Sequence, residues 1–237
     1  MSKYSGPEWS DIARVREDDS EGVCVISYSA DYVELMDVFR GVVSVSDYSR
    51  RVLPLLTDLL SHNPANYSVW HYRRLVIASL AASLSLHDEK QAVYQEELAF
   101  VSEVAEAHPK NYQIWYHRQV IVTILFPQHD KVNAQKELDF LATIFDDDAK
   151  NYHAWSYRQW VLTYYGLWDN EPHFVDTLIT SDIRNNSAWN QRFFVFSKGT
   201  TNFSDPAVLK QEIKSVLLGF FLQLTMTISV LFFLGTL

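Results

Sequence analysis

Two short blocks of this 237-residue chain carry side chains that can bind an anion. Lys110 stands directly before Asn111 and Tyr112, and the same order recurs further along the chain, ending in Tyr152 and His153. Asparagine is a preferred N-cap, so each block predicts a helix start, whose exposed N–H groups and dipole favour negative charge. An ammonium beside those N–H groups suits a diphosphate, which makes Lys110 the best catalytic candidate.

Both blocks belong to a repeat that runs through most of the chain. The pattern Asn-x-x-x-Trp-x-x-Arg occurs four times, at Asn66/Trp70/Arg73, Asn111/Trp115/Arg118, Asn151/Trp155/Arg158 and Asn185/Trp189/Arg192. Self-similarity at a period of roughly 20 to 50 residues is typical of a stacked solenoid, whose units bury their apolar faces against each other. The four Trp and four Arg are therefore interpreted as structural.

Each repeat contains two predicted helices. Apolar residues at helical spacing fill a first half, over residues 53–60, 98–105, 138–145 and 174–179. A polar turn and the Asn cap then lead into the helix that carries the Trp, and Pro54 can mark the start of the first such hairpin. The predicted fold is all-α, a right-handed solenoid or crescent of stacked helical hairpins, similar to a TPR superhelix. Stacking aligns equivalent turns, so Tyr112, Tyr152 and His153 are expected to reach one ligand with Lys110.

Composition agrees with a soluble helical protein. Seven Gly and seven Pro are few for a loop-rich β fold, and a net charge of −9 argues against a nucleic-acid surface. One cysteine, Cys24, excludes a disulfide within the chain and suits a reducing compartment. The first residues lack the apolar core of a secretory signal, so a cytoplasmic location is expected. The sequence contains no Cys-x-x-Cys and no His-Glu-x-x-His, so no metal site is predicted on this chain.

Three segments are predicted. Residues 1–25 form a flexible acidic segment, residues 26–214 form the helical-repeat domain, and residues 215–237 form an uncharged apolar end. A helix over residues 216–237 is long enough to span a bilayer. Three interpretations of that end remain open: a non-native end that replaces a final hairpin, a C-terminal membrane anchor, and a buried terminal helix. The repeat favours the first, because a fifth hairpin starts at residues 207–214 and its Asn-x-x-x-Trp half is missing.

Whole blocks of the sequence resemble a known family. Residues 110–118, 150–160 and 185–192 are similar to the repeats of the α subunit shared by protein farnesyltransferase and protein geranylgeranyltransferase type I. Residues 37–40 and 167–171 also resemble segments of that family, and the likeness spans roughly residues 26–212. At the C-terminus the chain departs from the family, where the apolar end stands in place of a further repeat and tail.

The resemblance implies a heterodimer. It implies a helical crescent around a β subunit that holds zinc, the prenyl pocket and most of the peptide site, with magnesium also on or with that subunit. The reaction implied is transfer of farnesyl or geranylgeranyl from its diphosphate to the cysteine of a C-terminal CaaX sequence. The non-metal α subunit then stabilises the diphosphate leaving group.

The resemblance also implies roles for individual residues. Lys110, Tyr152 and His153 match positions at the isoprenoid diphosphate, and Tyr112 matches one near the reacting centre. Two further residues match positions that bind the substrate peptide. Gln113 matches one that binds the peptide's C-terminal carboxylate, and Tyr67 matches one that lines the pocket for the peptide's last residue. The catalytic candidates are therefore Lys110, Tyr112 and Tyr152.

Other interpretations remain beside this one. The chain could be a helical-repeat scaffold without catalytic duty, anchored to a membrane or not, but a scaffold has no need to keep Lys, Tyr and Gln at one turn. The related Rab-type enzyme uses similar repeats, and its blocks match less closely. His71, His117 and the acidic run 146–148 are interpreted as partner contacts or solvated surface.

Overall fold

A computed structural model describes residues 3–17 and 26–234. In that part of the chain there is a 3₁₀ turn, Pro7–Trp9, and no strand. The α-helices are α1 (Ala30–Val45), α2 (Val52–His62), α3 (Tyr67–Ser83), α4 (His87–Ala107), α5 (Tyr112–Leu125), α6 (Lys131–Asp147), α7 (Tyr152–Tyr165), α8 (Glu171–Ser181), α9 (Asn186–Lys198) and α10 (Pro206–Leu234). The predicted all-α class is confirmed.

The chain divides into two compact units, Met1–Pro127 and Gln128–Leu237. In the first unit, consecutive helices pack against each other from α1 through to α5, and α3 also contacts α5. In the second unit, α6 packs on α7, α8 packs on α9, and α7 contacts α9. The pairs α2–α3, α4–α5, α6–α7 and α8–α9 are therefore helical hairpins, as the repeat predicts.

Asparagine caps begin the second helix of every hairpin. Their side chains accept backbone N–H groups of the first turn: Asn66 from Ser68 and Val69, Asn111 from Gln113, Asn151 from His153 and Ala154, and Asn185 from Ser187 and Ala188. Such a cap satisfies donors that the helix itself cannot pair. Pro54 lies in the first turn of α2, where its missing N–H costs little.

Each repeat tryptophan fastens the turn that precedes its own helix. The indole Nε1–H donates to the carbonyl oxygen six residues earlier, with these distances: Trp70 to Pro64, 2.8 Å; Trp115 to Pro109, 2.7 Å; Trp155 to Ala149, 3.0 Å; and Trp189 to Ile183, 2.9 Å. The tryptophan therefore fixes the turn geometry besides filling the core, and the interpretation of these residues as structural is confirmed.

The repeat arginines join one hairpin to the next through buried ion pairs. Arg73 on α3 donates two hydrogen bonds to Glu97 on α4, at 2.6 and 2.8 Å. The same bidentate pairing recurs in two places, between Arg158 and Glu171 and between Arg192 and Glu212. Arg73 also donates to Thr57 Oγ1 on α2, so a single guanidinium contacts two hairpins.

A third side chain completes these buried groups. In the second, third and fourth repeats, the residue two positions after the Trp hydrogen-bonds to the glutamate 20 residues before it: His117 to Glu97 at 2.7 Å, Tyr157 to Glu137 at 2.9 Å, and Gln191 to Glu171 at 2.8 Å. Burying a carboxylate is costly unless it is paired and hydrogen-bonded. The glutamate is therefore satisfied from both sides, by its own hairpin and, where the arginine pair forms, by the preceding one.

Of the segment 1–25 that is expected to be flexible, residues 3–17 pack within the first unit, and residues 1–2 and 18–25 lie outside the described residues. Tyr4, Trp9 and Ile12 are buried, and Arg51, directly before α2, donates two hydrogen bonds to Asp11. A Cβ at Gly41 of α1 would stand 2.1 Å from the Ala13 carbonyl oxygen, so this close approach requires glycine. The large apolar side chains explain why the segment is held.

The last helix continues the arrangement of the repeats at its start. Glu212 on α10 pairs with Arg192, and a Cβ at Gly219 would lie 3.0 Å from the Trp189 ring. Residues 215–237 form the predicted apolar end. The side chains of residues 220 and 222–237 lie outside the described part of the structure. Over the part of the chain that the structure describes, no helix has both the length and the apolar character needed to cross a membrane.

Candidate functional site

The turn between α4 and α5 presents Lys110. Its neighbours are fixed on both sides, because Trp115 binds the carbonyl of Pro109 and Asn111 caps α5. The side chain of Lys110 is exposed. It stands beside the positive end of the α5 dipole, where an anion is favoured by charge and by the dipole.

Tyr112 and Gln113 follow in the first turn of α5. Tyr112 is 66% exposed, and Gln113 is half-buried. A tyrosine is a large amphipathic side chain, and one that is two-thirds exposed at a fixed turn is suited to contact a ligand or a partner. The structure therefore brings Lys110, Tyr112 and Gln113 together within one turn.

Tyr67 occupies the equivalent place at the start of α3 and is 70% exposed. Its turn is held by the Asn66 cap, by the bond from Trp70 to Pro64, and by a hydrogen bond from Asn66 Nδ2 to the Tyr32 hydroxyl at 3.1 Å. Because α3 contacts α5 in the first unit, Tyr67 and Tyr112 begin two neighbouring helices.

Tyr152 and His153 begin α7 in the second unit. Tyr152 is 66% exposed, and its ring meets that of His153 edge-on with centroids 5.7 Å apart. Asn151, which caps this helix, is buried. The Ala149 carbonyl just before it accepts from Trp155 and from Asn185, so this turn is anchored by two side chains.

Lys150 is the counterpart of Lys110 in the third repeat, and it forms an ion pair within its own unit. Its Nζ lies 3.0 Å from Asp182 Oδ2. This hydrogen bond holds the pKa of the Asp182 carboxyl below its usual range. Lys150 is thus a repeat-equivalent lysine with a described carboxylate partner, which makes it a natural control for Lys110.

The predicted site residues are distributed over both units. Lys110, Tyr112, Gln113 and Tyr67 belong to the first, and the Tyr152–His153 pair belongs to the second. That all of them reach one ligand stays a prediction. Among the described residues, no group of three or more His, Cys, Asp or Glu side chains is placed to hold a metal ion.

His117 differs from the sequence interpretation, which placed it at the surface or at a partner. The side chain is fully buried, its ring lies 4.7 Å from that of Trp70, and Nε2 contacts Glu97. His71, interpreted in the same way, is exposed. His117 lies two residues after Trp115, and at that spacing its side chain points from α5 toward α4.

The buried glutamates were also missed by the sequence reasoning. Glu97, Glu137 and Glu171 each lie on the first helix of a hairpin, and Glu212 lies on α10; all four are buried. A regular signal exists, because three of them precede the hydrogen-bonding residue of the second helix by 20 positions. A charged residue at a fixed offset inside an apolar stripe could have revealed them.

Comparison with known proteins finds a family model described as protein prenyltransferase alpha subunit repeat. It matches residues 49–80, 94–125, 134–165 and 168–199, which correspond to the four hairpins. The chain is also similar to a solved structure, Candida albicans protein geranylgeranyltransferase-I complexed with GGPP. That likeness has a TM-score of 0.73 and 30% identity, and it covers 91% of this chain and 68% of the other.

Two curated relatives are named protein farnesyltransferase/geranylgeranyltransferase type-1 subunit alpha. The relative from Pisum sativum is 42% identical over 88 residues, which cover 37% of this chain and 26% of the relative. The relative from Solanum lycopersicum is 41% identical over 100 residues, which cover 42% of this chain and 26% of the relative. The matched part of the chain thus spans about a quarter of the length of these relatives.

Proposed function

Because this chain belongs to the protein prenyltransferase α-subunit repeat family, we propose that it acts as the non-metal α subunit of a heterodimeric protein prenyltransferase. The partner is a β subunit of the farnesyltransferase or geranylgeranyltransferase type I kind. The observation that carries the proposal is the turn at Lys110, where a fixed helix start presents an exposed cation beside an exposed tyrosine and a glutamine. A scaffold needs only the cap and the tryptophan of such a turn.

The proposed reaction transfers farnesyl or geranylgeranyl from its diphosphate to the cysteine of a CaaX-ending protein. The cysteine sulfur forms a bond to the first carbon of the isoprenoid, and the bond from that carbon to the diphosphate oxygen breaks. Negative charge builds on the departing diphosphate. Groups that bind this charge more strongly in the transition state than in the ground state accelerate the step.

Lys110 is assigned to that departing charge, with Tyr152 and His153 as further donors to the diphosphate. Tyr112 lies near the reacting centre in this assignment. Zinc held by the β subunit would lower the pKa of the substrate thiol, and magnesium on or with that subunit would neutralise charge on the diphosphate. The residues of this chain hold and orient the anion.

The peptide is assigned to two other residues. Gln113 carries an amide that can donate to the C-terminal carboxylate, and it lies in the same helical turn as Tyr112. Tyr67 presents its exposed ring from the neighbouring helix, where it can line the pocket of the last residue. The assignment places the peptide end beside α3 and α5.

Co-expression tests the proposal directly. The full chain is produced with a tagged β subunit of either kind, purified through the tag, and assayed for transfer to a CaaX peptide by its gain in mass. We expect a stoichiometric complex that modifies the peptide, while either chain alone does not. Absence of a complex with both β subunits contradicts the proposal, and a complex without transfer favours the scaffold.

A further inference from the structure

Arg74 on α3 is a half-buried cation that lacks the partners of its neighbour Arg73. The Nη1 atom of Arg74 is buried and has no hydrogen-bond partner, and no described carboxylate forms an ion pair with this side chain. Arg73, one position earlier, donates twice to Glu97 and once to Thr57. Two adjacent arginines therefore differ completely in how their charge is compensated.

The Arg74 guanidinium contacts an aromatic ring. It lies 5.1 Å from the centroid of the Tyr116 ring on α5. Burial lowers the pKa of Arg74, which means that the surroundings oppose its charge. A cation over a partly exposed ring gains little beside the cost of removing a charge from water. Buried polar atoms without a partner are rare in native proteins, and each calls for an explanation.

The position of Arg74 connects it to the candidate site. Tyr67, His71 and Arg74 follow one another at intervals of four and three residues, so they form one stripe along α3. On α5, Tyr112 and Tyr116 share a stripe for the same reason, and both are more than half exposed. Since α3 contacts α5, the Arg74–Tyr116 pair continues the surface that begins with Tyr67 and Tyr112.

We infer that the Arg74–Tyr116 pair is a docking point for a carboxylate side chain of the partner β subunit. The inference rests on the proposed function, because the partner that reaches Tyr67 and Tyr112 would also cover this surface. A guanidinium fork matches a carboxylate with two parallel hydrogen bonds, and Arg and Tyr are enriched at protein interfaces. The partner's carboxylate supplies the negative charge that Arg74 lacks among the described residues of its own chain.

The test compares the affinity of variants of the full chain for the immobilised β subunit, at low and high NaCl. Arg74→Gln should weaken binding by about 10- to 100-fold and reduce its salt dependence, since a close charge pair is lost. Arg74→Lys keeps the charge without the two-pronged guanidinium. Its affinity for the β subunit should lie between those of the unaltered chain and Arg74→Gln. Arg50→Gln is the matched control: this exposed arginine already pairs with Glu96 of its own chain, so its loss should change affinity less than about twofold.

Three results would contradict this inference in distinguishable ways. If the unaltered chain binds no β subunit, the proposed function and the inference fail together. If it binds and Arg74→Gln binds within about twofold of it, only the inference fails. If Arg74→Gln binds the β subunit normally but the complex loses affinity for the isoprenoid diphosphate, Arg74 holds the phosphate and the docking role is overturned. Equal melting temperatures of the variants show that folding is unaffected.

Discussion

Nε2 of His117 lies 2.7 Å from Oε1 of Glu97, the same carboxylate that accepts two hydrogen bonds from Arg73. The pKa of Glu97 is lowered overall, because its bonds to His117 and Arg73 outweigh burial. The carboxylate is therefore ionised, and the neutral imidazole donates from Nε2. Nδ1 is buried without a hydrogen-bond partner. A second proton on this ring would have no acceptor.

The chain should lose stability below about pH 6.5 because of His117. Burial lowers the pKa of this imidazole, opposed by Glu97, while Arg73 and Arg74 add to the lowering. A depressed histidine pKa contributes stability that is complete above the unfolded value of about 6.5 and is lost as pH falls below it. The slope from this one group can reach about 1.4 kcal/mol per pH unit.

Denaturant unfolding between pH 5 and 7.5 measures this slope, and the chain supplies its own control. His117→Gln places at this position the residue type that Gln191 provides in the fourth repeat, where it donates to Glu171. The variant should keep the hydrogen bond and lose the extra pH dependence. Identical slopes for the variant and the unaltered chain would show that His117 does not titrate across this range.

Glu97→Gln should destabilise the chain by about 3–5 kcal/mol, because it leaves Arg73 buried with a neutral partner. The neighbouring Glu96→Gln is the control: Glu96 and its partner Arg50 are both exposed, and such pairs contribute at most about 1 kcal/mol. Urea unfolding of both variants gives the comparison. Similar losses in the two would mean that the buried pair adds nothing to the joining of α3 and α4.

Lys110→Ala in the assembled enzyme should slow the chemical step by about 10- to 1000-fold with little change in ground-state binding. Lys150→Ala removes the equivalent lysine of the next repeat, whose ammonium is paired with Asp182, and should affect the step far less. Single-turnover rates separate chemistry from binding. Equal rates for Lys110→Ala and the unaltered enzyme would remove Lys110 from the proposed mechanism.

Trp115→Phe should cost about 1–2 kcal/mol through the lost bond to the Pro109 carbonyl, and it should also impair turnover by loosening the Lys110 turn. Trp189→Phe removes the same bond, to Ile183, in a turn that carries no proposed site residue. It should therefore lower stability without changing turnover. Thermal unfolding and the transfer assay check both. A similar turnover loss in the two variants would point to a general effect of unfolding.

The sequence predicted what depends on local chemistry. Each Asn cap and each Trp lies within one turn of the structure it fixes, so spacing along the chain is enough to place it. The partners of the repeat arginines could not be predicted in that way. Glu97 belongs to the next hairpin, and glutamate is a residue type that is usually exposed. His117 was placed at the surface for the same reason. Arg74 needed the structure too, since only contacts reveal a missing partner.

The direction of the arginine pairs bears on how the chain folds while it is being made. In every described pair the arginine comes from the earlier hairpin and the glutamate from the later one, 24 residues on for Arg73 and 13 for Arg158. A ribosome therefore releases each of these arginines before its glutamate, and the buried Arg–Glu pair forms only after the following helix has emerged. For these three repeats, the last buried ion pair is completed one helix later, in the order of translation.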